Sequence, residues 1–548
     1  MTNQELKDSF GINKIISSEY DKSLAAACYN GTFVGKRTKD GVLVYKGIPY
    51  AKPPVGPFRW KKPRLPGRDL GVYEAYYNGK TPIQTEWETE RASYYPQGED
   101  CLYLNIWVNE TCRIEDKTVM VFFHGGSYGW GGTADPLYDG KAFVKENPDI
   151  IMVTVGYRTG LMGFVDFSKV PGGKDYPDAP NLGIWDQVAA LRWVQKNIHV
   201  FGGDPDSVTI FGESAGGGSV SLLPITPVAK GLFRRVIAES GSVALTFSKE
   251  ECQSFTKRLL KASGAKTMDD LLALSEEELK KINLEINQYN NFPQRDGVLI
   301  PEEPYESYIN GETANIDFLM GSNANESNYW VGELGGIAAY RLGIPVMFEN
   351  DIKKFLPGDQ LRVRKFMEAQ NNHPVWRMAE FYNEVMFRLP MIRQAEGHAR
   401  RGGKVYLYYW TKESVLPYRK ACHAVELAYV FGNVDETIYT GEKADPVLTK
   451  RVMNMWANFA RTGDPSIEGK EWPEYRDHRS VMVIGNRIHV ERDPKSEQRK
   501  RLTPVLRYHL NGSYADMNYK VPYIFGMATA VGAVALSVAA GVLLQRKL

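Results

Sequence analysis

Ser207-Val208-Thr209-Ile210-Phe211-Gly212-Glu213-Ser214-Ala215-Gly216-Gly217-Gly218-Ser219 decides the fold. Its first five residues are mostly β-branched or aromatic and predict a strand. A Gly-x-Ser-x-Gly turn follows, and then a run of small residues that opens a helix. The physics of such a junction is steric. The serine is held on a strained turn that lifts its Oγ above the sheet edge, and the flanking glycines let neighbouring backbone come close. The helix behind it points its positive end at the same place. Ser214 is therefore the candidate nucleophile.

A serine alone is a poor nucleophile and needs a base, which in turn needs an orienting acid. In strand–turn–helix sites of this kind the chain order is serine, acid, histidine. Six histidines follow Ser214: His373, His398, His423, His478, His489 and His509. His423 stands out, in Ala421-Cys422-His423-Ala424-Val425-Glu426-Leu427, after a strand and just before a helical pattern. His373 precedes Pro374 in a polar loop and His489 falls in an alternating strand, so both read as structural or solvent-facing. Glu326 follows a strand in Gly321-Ser322-Asn323-Ala324-Asn325-Glu326, where acids are well placed in α/β sheets. On the residues alone Asp296 and Glu302 remain alternatives to it. A third element is His124-Gly125-Gly126-Ser127, continued by Gly129, Gly131 and Gly132. Such a turn exposes backbone N–H donors of the kind an oxyanion requires. No Gly-Lys-Ser/Thr follows, which argues against a phosphate cradle.

Outward from these motifs, strands are expected at residues 32–37, 42–48, 102–108, 119–123, 150–155, 207–211, 235–239, 317–320 and 405–409. Helices are expected at 181–198, 251–262 and 268–282. Ile184, Val188, Leu191, Val194 and Ile198 recur at helical spacing in the first of these. Antiparallel-looking strands come first and alternating strands and helices after. The implied architecture is α/β, a large, mostly parallel sheet flanked by helices.

The chain has 548 residues, 43% of them hydrophobic, enough for a large core and too many for a disordered protein. The formal charge of +2 offers no broad footprint for nucleic acid. The five cysteines form no CxxC or Cys/His cluster, so no zinc site is expected, and a serine nucleophile with its base and acid needs neither metal nor organic cofactor. The first twenty residues do not have the form of a cleavable secretory signal. At the other end, Val521 to Leu544 carries no charge. Ile524–Leu544 would make about 31 Å of helix, close to the thickness of a bilayer core. Arg546 and Lys547 follow, and Ala533, Ser537 and Gly541 share a small-residue face. The expected division is a catalytic domain over 1–510, a polar tether over 511–520 and a membrane-anchor segment over 521–548.

Glu99-Asp100-Cys101-Leu102-Tyr103-Leu104-Asn105 forms one further motif. Phe201-Gly202-Gly203-Asp204-Pro205, running on to Gly216, forms another. Together with Asn181-Leu182-Gly183 and Asp186-Gln187, and in this order, they resemble the type-B carboxylesterase/lipase family, which includes the cholinesterases and the neuroligins. The likeness spans roughly residues 28 to 510. It implies an α/β-hydrolase fold and cofactor-free hydrolysis of a small-molecule ester through an acyl-enzyme. By position it makes Ser214 the nucleophile, Glu326 the acid and His423 the base. The oxyanion donors fall on Gly126, Ser127 and Ala215, with Glu213 and Ser240 in supporting places. Many relatives have glycine where Ser127 stands.

Two departures matter. The cysteine that pairs with the Glu-Asp-Cys motif in secreted relatives is replaced by Thr81, and Cys252 has no partner in Ala262-Ser263-Gly264-Ala265. Unpaired half-cystines imply a reducing compartment. The sequons at Asn30, Asn109, Asn325 and Asn511 are accordingly read as unused, and the anchored catalytic domain is expected to face the cytosol. Nor can the choline-holding tryptophan of cholinesterases be placed. The aligned position lies near Arg91, with Trp87 close by, so a quaternary-ammonium ester is not the first choice of substrate. Two rival readings accompany the esterase. One is a lipase for longer acyl chains, with residues 87–98 lining or covering the entrance. The other is a non-catalytic, neuroligin-like binding protein, against which the complete triad argues.

Overall fold

The computed structural model describes residues 3–84, 95–112, 115–286, 291–333, 345–346, 348–476, 478–508 and 510. Fourteen strands form two sheets. The smaller holds β1 (Ala25–Cys28), β2 (Asn30–Val34) and β5 (Asp69–Glu74). The larger holds β3 (Lys36–Arg37), β4 (Val42–Pro49), β6 (Tyr103–Asn109), β7 (Lys117–Phe123), β8 (Ile150–Val155) and β9 (Gly203–Glu213). It continues with β10 (Arg235–Glu239), β11 (Asp317–Asn323), β12 (Val405–Trp410), β13 (Ser480–Ile484) and β14 (Ile488–Arg492).

The eleven strands of the large sheet lie in the order β14-β13-β12-β11-β10-β9-β7-β8-β6-β4-β3. Neighbours from β13 to β8 are parallel. The pairings of β6, β4 and β3 at one edge, and of β14 at the other, are antiparallel. This is the α/β architecture expected from the sequence, as a mixed sheet.

Near-continuous apolar runs make sense here, because both faces of the sheet are buried. Along β7, Val119, Val121 and Phe123 enter one core while Met120 and Phe122 enter the other. The same alternation sends Phe318 and Met320 of β11 one way and Leu319 the other. Helix Leu182–Asn197 covers the first face with Ile184, Val188, Leu191 and Val194. Helix Pro446–Thr462 covers the second with Val452, Met455, Trp456 and Phe459.

Three expectations need correction. Residues 32–37 are not one strand: the chain leaves the small sheet after Val34 and joins the large one at Lys36. The close approach of the Tyr45 ring to Gly35 leaves no room for a side chain at that crossing. Residues 268–282 are not one helix either but parts of Met268–Leu272 and Glu276–Ile286. The break is made by Ser275, whose Oγ accepts from the Glu278 N–H while the Glu278 carboxylate accepts from the Ser275 N–H. The strand before Ser214 is also longer than its apolar pattern, running from Gly203 to Glu213.

The C-terminal tether and anchor lie outside the described residues, as do residues 85–94. Among the described residues no helix is long and apolar enough to cross a membrane. All five cysteines are free thiols. The sequon asparagines Asn30 and Asn109 are buried, and their amides donate to the carbonyls of Pro49 and Val144.

One ion pair ties the first covering helix to the sheet. Asp186 receives Nε and Nη2 of Arg158 at 2.8 and 2.7 Å and also accepts the Arg158 N–H at 3.0 Å, with both side chains buried. Removing one partner strands a buried charge. Asp186→Ala is expected to lower stability by about 3–5 kcal/mol, read as a fall in the urea midpoint. Breaking the exposed Lys443–Asp435 pair by Lys443→Ala is expected to leave that midpoint unchanged.

Candidate active site

The site is assembled where the parallel strands end. The two central strands β7 and β9 end side by side, with Phe123 opposite Gly212. The loop His124–Ser127 therefore starts next to the turn that carries Ser214. At that turn Ser214 adopts φ 58° and ψ −120°, a strained backbone for a residue with a side chain. Its N–H donates to the Glu239 carbonyl of β10 at 2.8 Å, which holds the turn. The two flanking glycines are required by contact. A Cβ on Gly212 would lie 2.6 Å from the carbonyl carbon of Gly216, and one on Gly216 would lie 1.9 Å from the Phe123 carbonyl oxygen.

The same ladder extends to the other strand ends. Ser240 N–H donates to the Gly321 carbonyl at 2.8 Å, and Ala324 N–H to the Trp410 carbonyl at 2.9 Å. Asn325 N–H reaches the Ala421 carbonyl at 2.9 Å, and His423 N–H reaches the Glu326 carbonyl at 3.3 Å. Glu326 is fully buried and both carboxylate oxygens are occupied. Oε2 contacts His423 Nδ1 at 2.6 Å, while Oε1 accepts from Ser240 Oγ at 2.6 Å and Asn323 N–H at 2.7 Å. His423 and Ser214 line one cavity of about 840 Å³, together with Gly126 and Ser127. Among the described residues the N–H groups of Gly126, Ser127 and Ala215 make no hydrogen bond to protein. The φ values of Gly126 (99°) and Ser127 (51°) are both positive, the region that favours glycine.

The cavity wall is aromatic: Tyr95, Trp130, Tyr138, Tyr329, Trp330 and Tyr439. Trp330 stacks on the His423 ring at 5.4 Å, and Phe387 approaches it at 5.1 Å. Beneath lie three further buried carboxyls. Glu213 Oε1 is 3.1 Å from His423 Nε2, close but outside hydrogen-bond geometry. Burial, then the charges of Glu326 and Glu239, push its carboxyl well above the usual range. Burial also pushes Glu239 up to about 8, against the pull of Trp456 Nε1, which donates to it at 2.8 Å. Glu426, held by the Asn323 amide, is raised by burial and then by Glu213, Glu326 and Glu239. Among the described residues no three His, Cys, Asp or Glu side chains come together in a metal-holding group.

The structure places the candidates of the sequence reading in different surroundings. Asp296 braces its own loop, accepting the N–H groups of Val298, Leu299 and Ile300, and also the Asn181 amide. Glu302 is exposed. His373 caps a helix, His398 is buried against Thr313, and His489 is exposed on the edge strand β14. Ser214, Glu326, His423, Gly126, Ser127, Ala215, Glu213 and Ser240 all converge. Of the expected entrance segment, Tyr95 lines the cavity and residues 87–94 lie outside the described residues. Glu239, Glu426 and Asn323 were not anticipated. Glu239 carried the same signal as Glu326, an acid at a strand's carboxyl end. The aromatic wall carried none, because its members come from segments far apart in the chain, from Tyr95 to Tyr439.

This constellation has close counterparts. The carboxylesterase family model matches residues 22–502. The chain is 34% identical over 519 residues to the para-nitrobenzyl esterase of Bacillus subtilis, covering 90% of this chain and 99% of that one. It is 31% identical to the acetylcholinesterase of Leptinotarsa decemlineata, over 84% of this chain and 80% of that one. Among solved structures, the Geobacillus stearothermophilus carboxylesterase EST55 superposes with a TM-score of 0.78 at 34% identity, covering 87% of this chain and 99% of that one. The family match takes in every residue of the site, from Gly126 to His423, and the chain belongs to the carboxylesterase family.

Proposed function

We propose that the chain hydrolyses carboxylic esters through an acyl-enzyme, with Ser214 as nucleophile, His423 as general base and Glu326 as the group that orients the imidazole. The observation that carries this reading is the 2.6 Å contact of His423 Nδ1 with Glu326, at the wall of the cavity that Ser214 also lines. The carboxylate accepts a hydrogen bond from Nδ1–H, which fixes that tautomer and leaves Nε2 as the base. Nε2 accepts the Ser214 proton as Oγ bonds to the acyl carbon, and the carbonyl electron pair moves onto oxygen. The free N–H groups of Gly126, Ser127 and Ala215 bind that oxyanion, each worth about 10²–10³ in rate. Collapse expels the alcohol, which leaves with the proton from Nε2, and water repeats the sequence on the acyl-enzyme.

Ser240 supports the reaction by fixing the Glu326 carboxylate. Glu213 supports it by being neutral. Pushed toward its neutral form by burial, it places no second negative charge beside Nε2, 3.1 Å away. The aromatic wall suits compact esters with an aryl group, and the name of the para-nitrobenzyl relative points the same way.

Ser214→Ala is expected to lower kcat for p-nitrophenyl butyrate by about 10⁵–10⁶ and to abolish labelling by a fluorophosphonate. Glu326→Gln is expected to cost about 10⁴. Retention of hydrolysis and labelling by Ser214→Ala would sink the assignment. Rising activity from butyrate to laurate would favour a lipase instead.

The raised carboxyls also set a pH dependence. Glu239 titrates at about 8 when folded, above its ordinary 4.5, so its contribution to stability is full below 4.5 and is lost as pH rises to about 8. Glu239→Gln, which keeps the acceptor for Trp456, is expected to flatten part of the decline in urea midpoint between pH 5 and 8. Glu213 and Glu426 shift in the same direction and add to the decline.

Residues 521–548 act as a membrane anchor in this reading, joined to the catalytic domain by 511–520. The support is the uncharged run Ile524–Leu544. The free thiols, together with the buried Asn30 and Asn109, favour a catalytic domain in the cytosol. The full chain is expected to pellet with membranes through carbonate extraction, and a chain ending at residue 515 to stay in the supernatant. A full chain found in the supernatant would overturn the anchor.

A further inference from the structure

A second cavity, of about 400 Å³, opens beside the first and shares no residue with it. Its walls are Asn325 and Asn328 after β11, helix Pro374–Tyr382 with the π-helical turn Asn383–Arg388 that continues it, and Lys420 in the segment leading to His423. Its chemistry is the reverse of the aromatic ester cavity, since its lining is amide and charge. Part of that polarity is spent on the wall itself. Asn383 accepts the Ser327 N–H at 2.8 Å and donates to Glu380, and Glu380 is neutralised by Lys495 at 2.6 Å. Asn328 donates to the Tyr418 carbonyl at 2.7 Å.

What remains is positive and donor-rich. Arg377 spends only Nε, on the Asn372 carbonyl at 2.6 Å, which aims its guanidinium and leaves both terminal nitrogens without a protein acceptor among the described residues. Lys420 likewise has no acidic partner among the described residues, and the side-chain amides of Asn325 and Gln370 make no hydrogen bond to protein there. The half-buried Trp376, stacked on Tyr418 at 29°, supplies one flat apolar wall.

We infer that this cavity binds a small hydroxylated oxyanion, the phosphate ester or carboxylate of a polyol. A guanidinium whose orientation is already fixed, with an ammonium across from it, provides the charge-assisted bonds an oxyanion takes. Amides, which donate and accept at once, match hydroxyl groups. The indole face matches a carbon ring. Asn325 adjoins Glu326 and Lys420 lies three residues before His423, so a ligand held by both clasps the loops of the acid and the base together.

Binding to the full chain is measured by calorimetry at constant ionic strength with four probes: glucose 6-phosphate, gluconate, inorganic phosphate and glucose. Saturable binding of glucose 6-phosphate or gluconate is expected, at least tenfold tighter than that of inorganic phosphate, with none for glucose. Whichever of the two binds tighter names the anion. The Arg377→Gln/Lys420→Gln double variant is expected to raise Kd at least tenfold, and Gln370→Leu, which removes no charge, to weaken the organic anions but not inorganic phosphate. Absence of saturable binding, or equal binding by a double variant that folds normally, overturns the site. Inorganic phosphate binding as tightly as the organic anions overturns recognition of the hydroxylated body. None of these readouts depends on ester hydrolysis, so the site and the esterase reading fail separately.

Discussion

The structure depends on a hydrogen-bond ladder that does not stop where the strands do. Beyond the carboxyl ends of β9 to β12 the pairing continues into loops, from Ser214 to Glu239, Ser240 to Gly321, Ala324 to Trp410 and His423 to Glu326. Three of these bonds hold the backbone of Ser214, Ser240 and His423, and the fourth holds Ala324, two residues before Glu326. Ser214, Ser240, Glu326 and His423 are therefore set by the sheet rather than by free loops. This allows residues more than 200 positions apart, such as Glu213 and His423, to meet at 3.1 Å. The strained φ of Ser214 is affordable for the same reason, since the bond to Glu239 and the contacts at Gly212 and Gly216 leave the turn no other course.

A second constraint is electrostatic. Glu213, Glu239, Glu326 and Glu426 are buried around one imidazole. Four negative charges in that space would repel strongly, and burial already penalises each of them. Only Glu326 has two donors on one oxygen and the imidazole on the other. The remaining three have fewer partners and are pushed toward the neutral form. The hydrogen-bond inventory thus sets Glu326 apart from the three raised carboxyls.

Much of this was legible in the chain. The strands from Ile150 and Arg235 were read to the residue, because their apolar runs are bounded by turn residues and nothing else competes. Ser214 and His423 were legible because a local motif and a local context announce them. Glu326 needed the family resemblance, since a glutamate after a strand looks like Asp296 or Glu302 until its partners are known. Burial in three dimensions was not legible at all. Nothing in the local sequence marks Glu426, Tyr439 or Phe387 as neighbours of the site. The split at Ser275 was missed for a different reason: the apolar periodicity runs through it, and only the cap outweighs that pattern.

The burial of Asn30 and Asn109 reaches beyond packing. Glycan transfer acts on an extended chain, before folding hides the acceptor. A sugar tree on either amide would displace a bond to Pro49 or Val144 inside the protein. The packing at the start of β2 and the end of β6 therefore requires these side chains to stay unmodified.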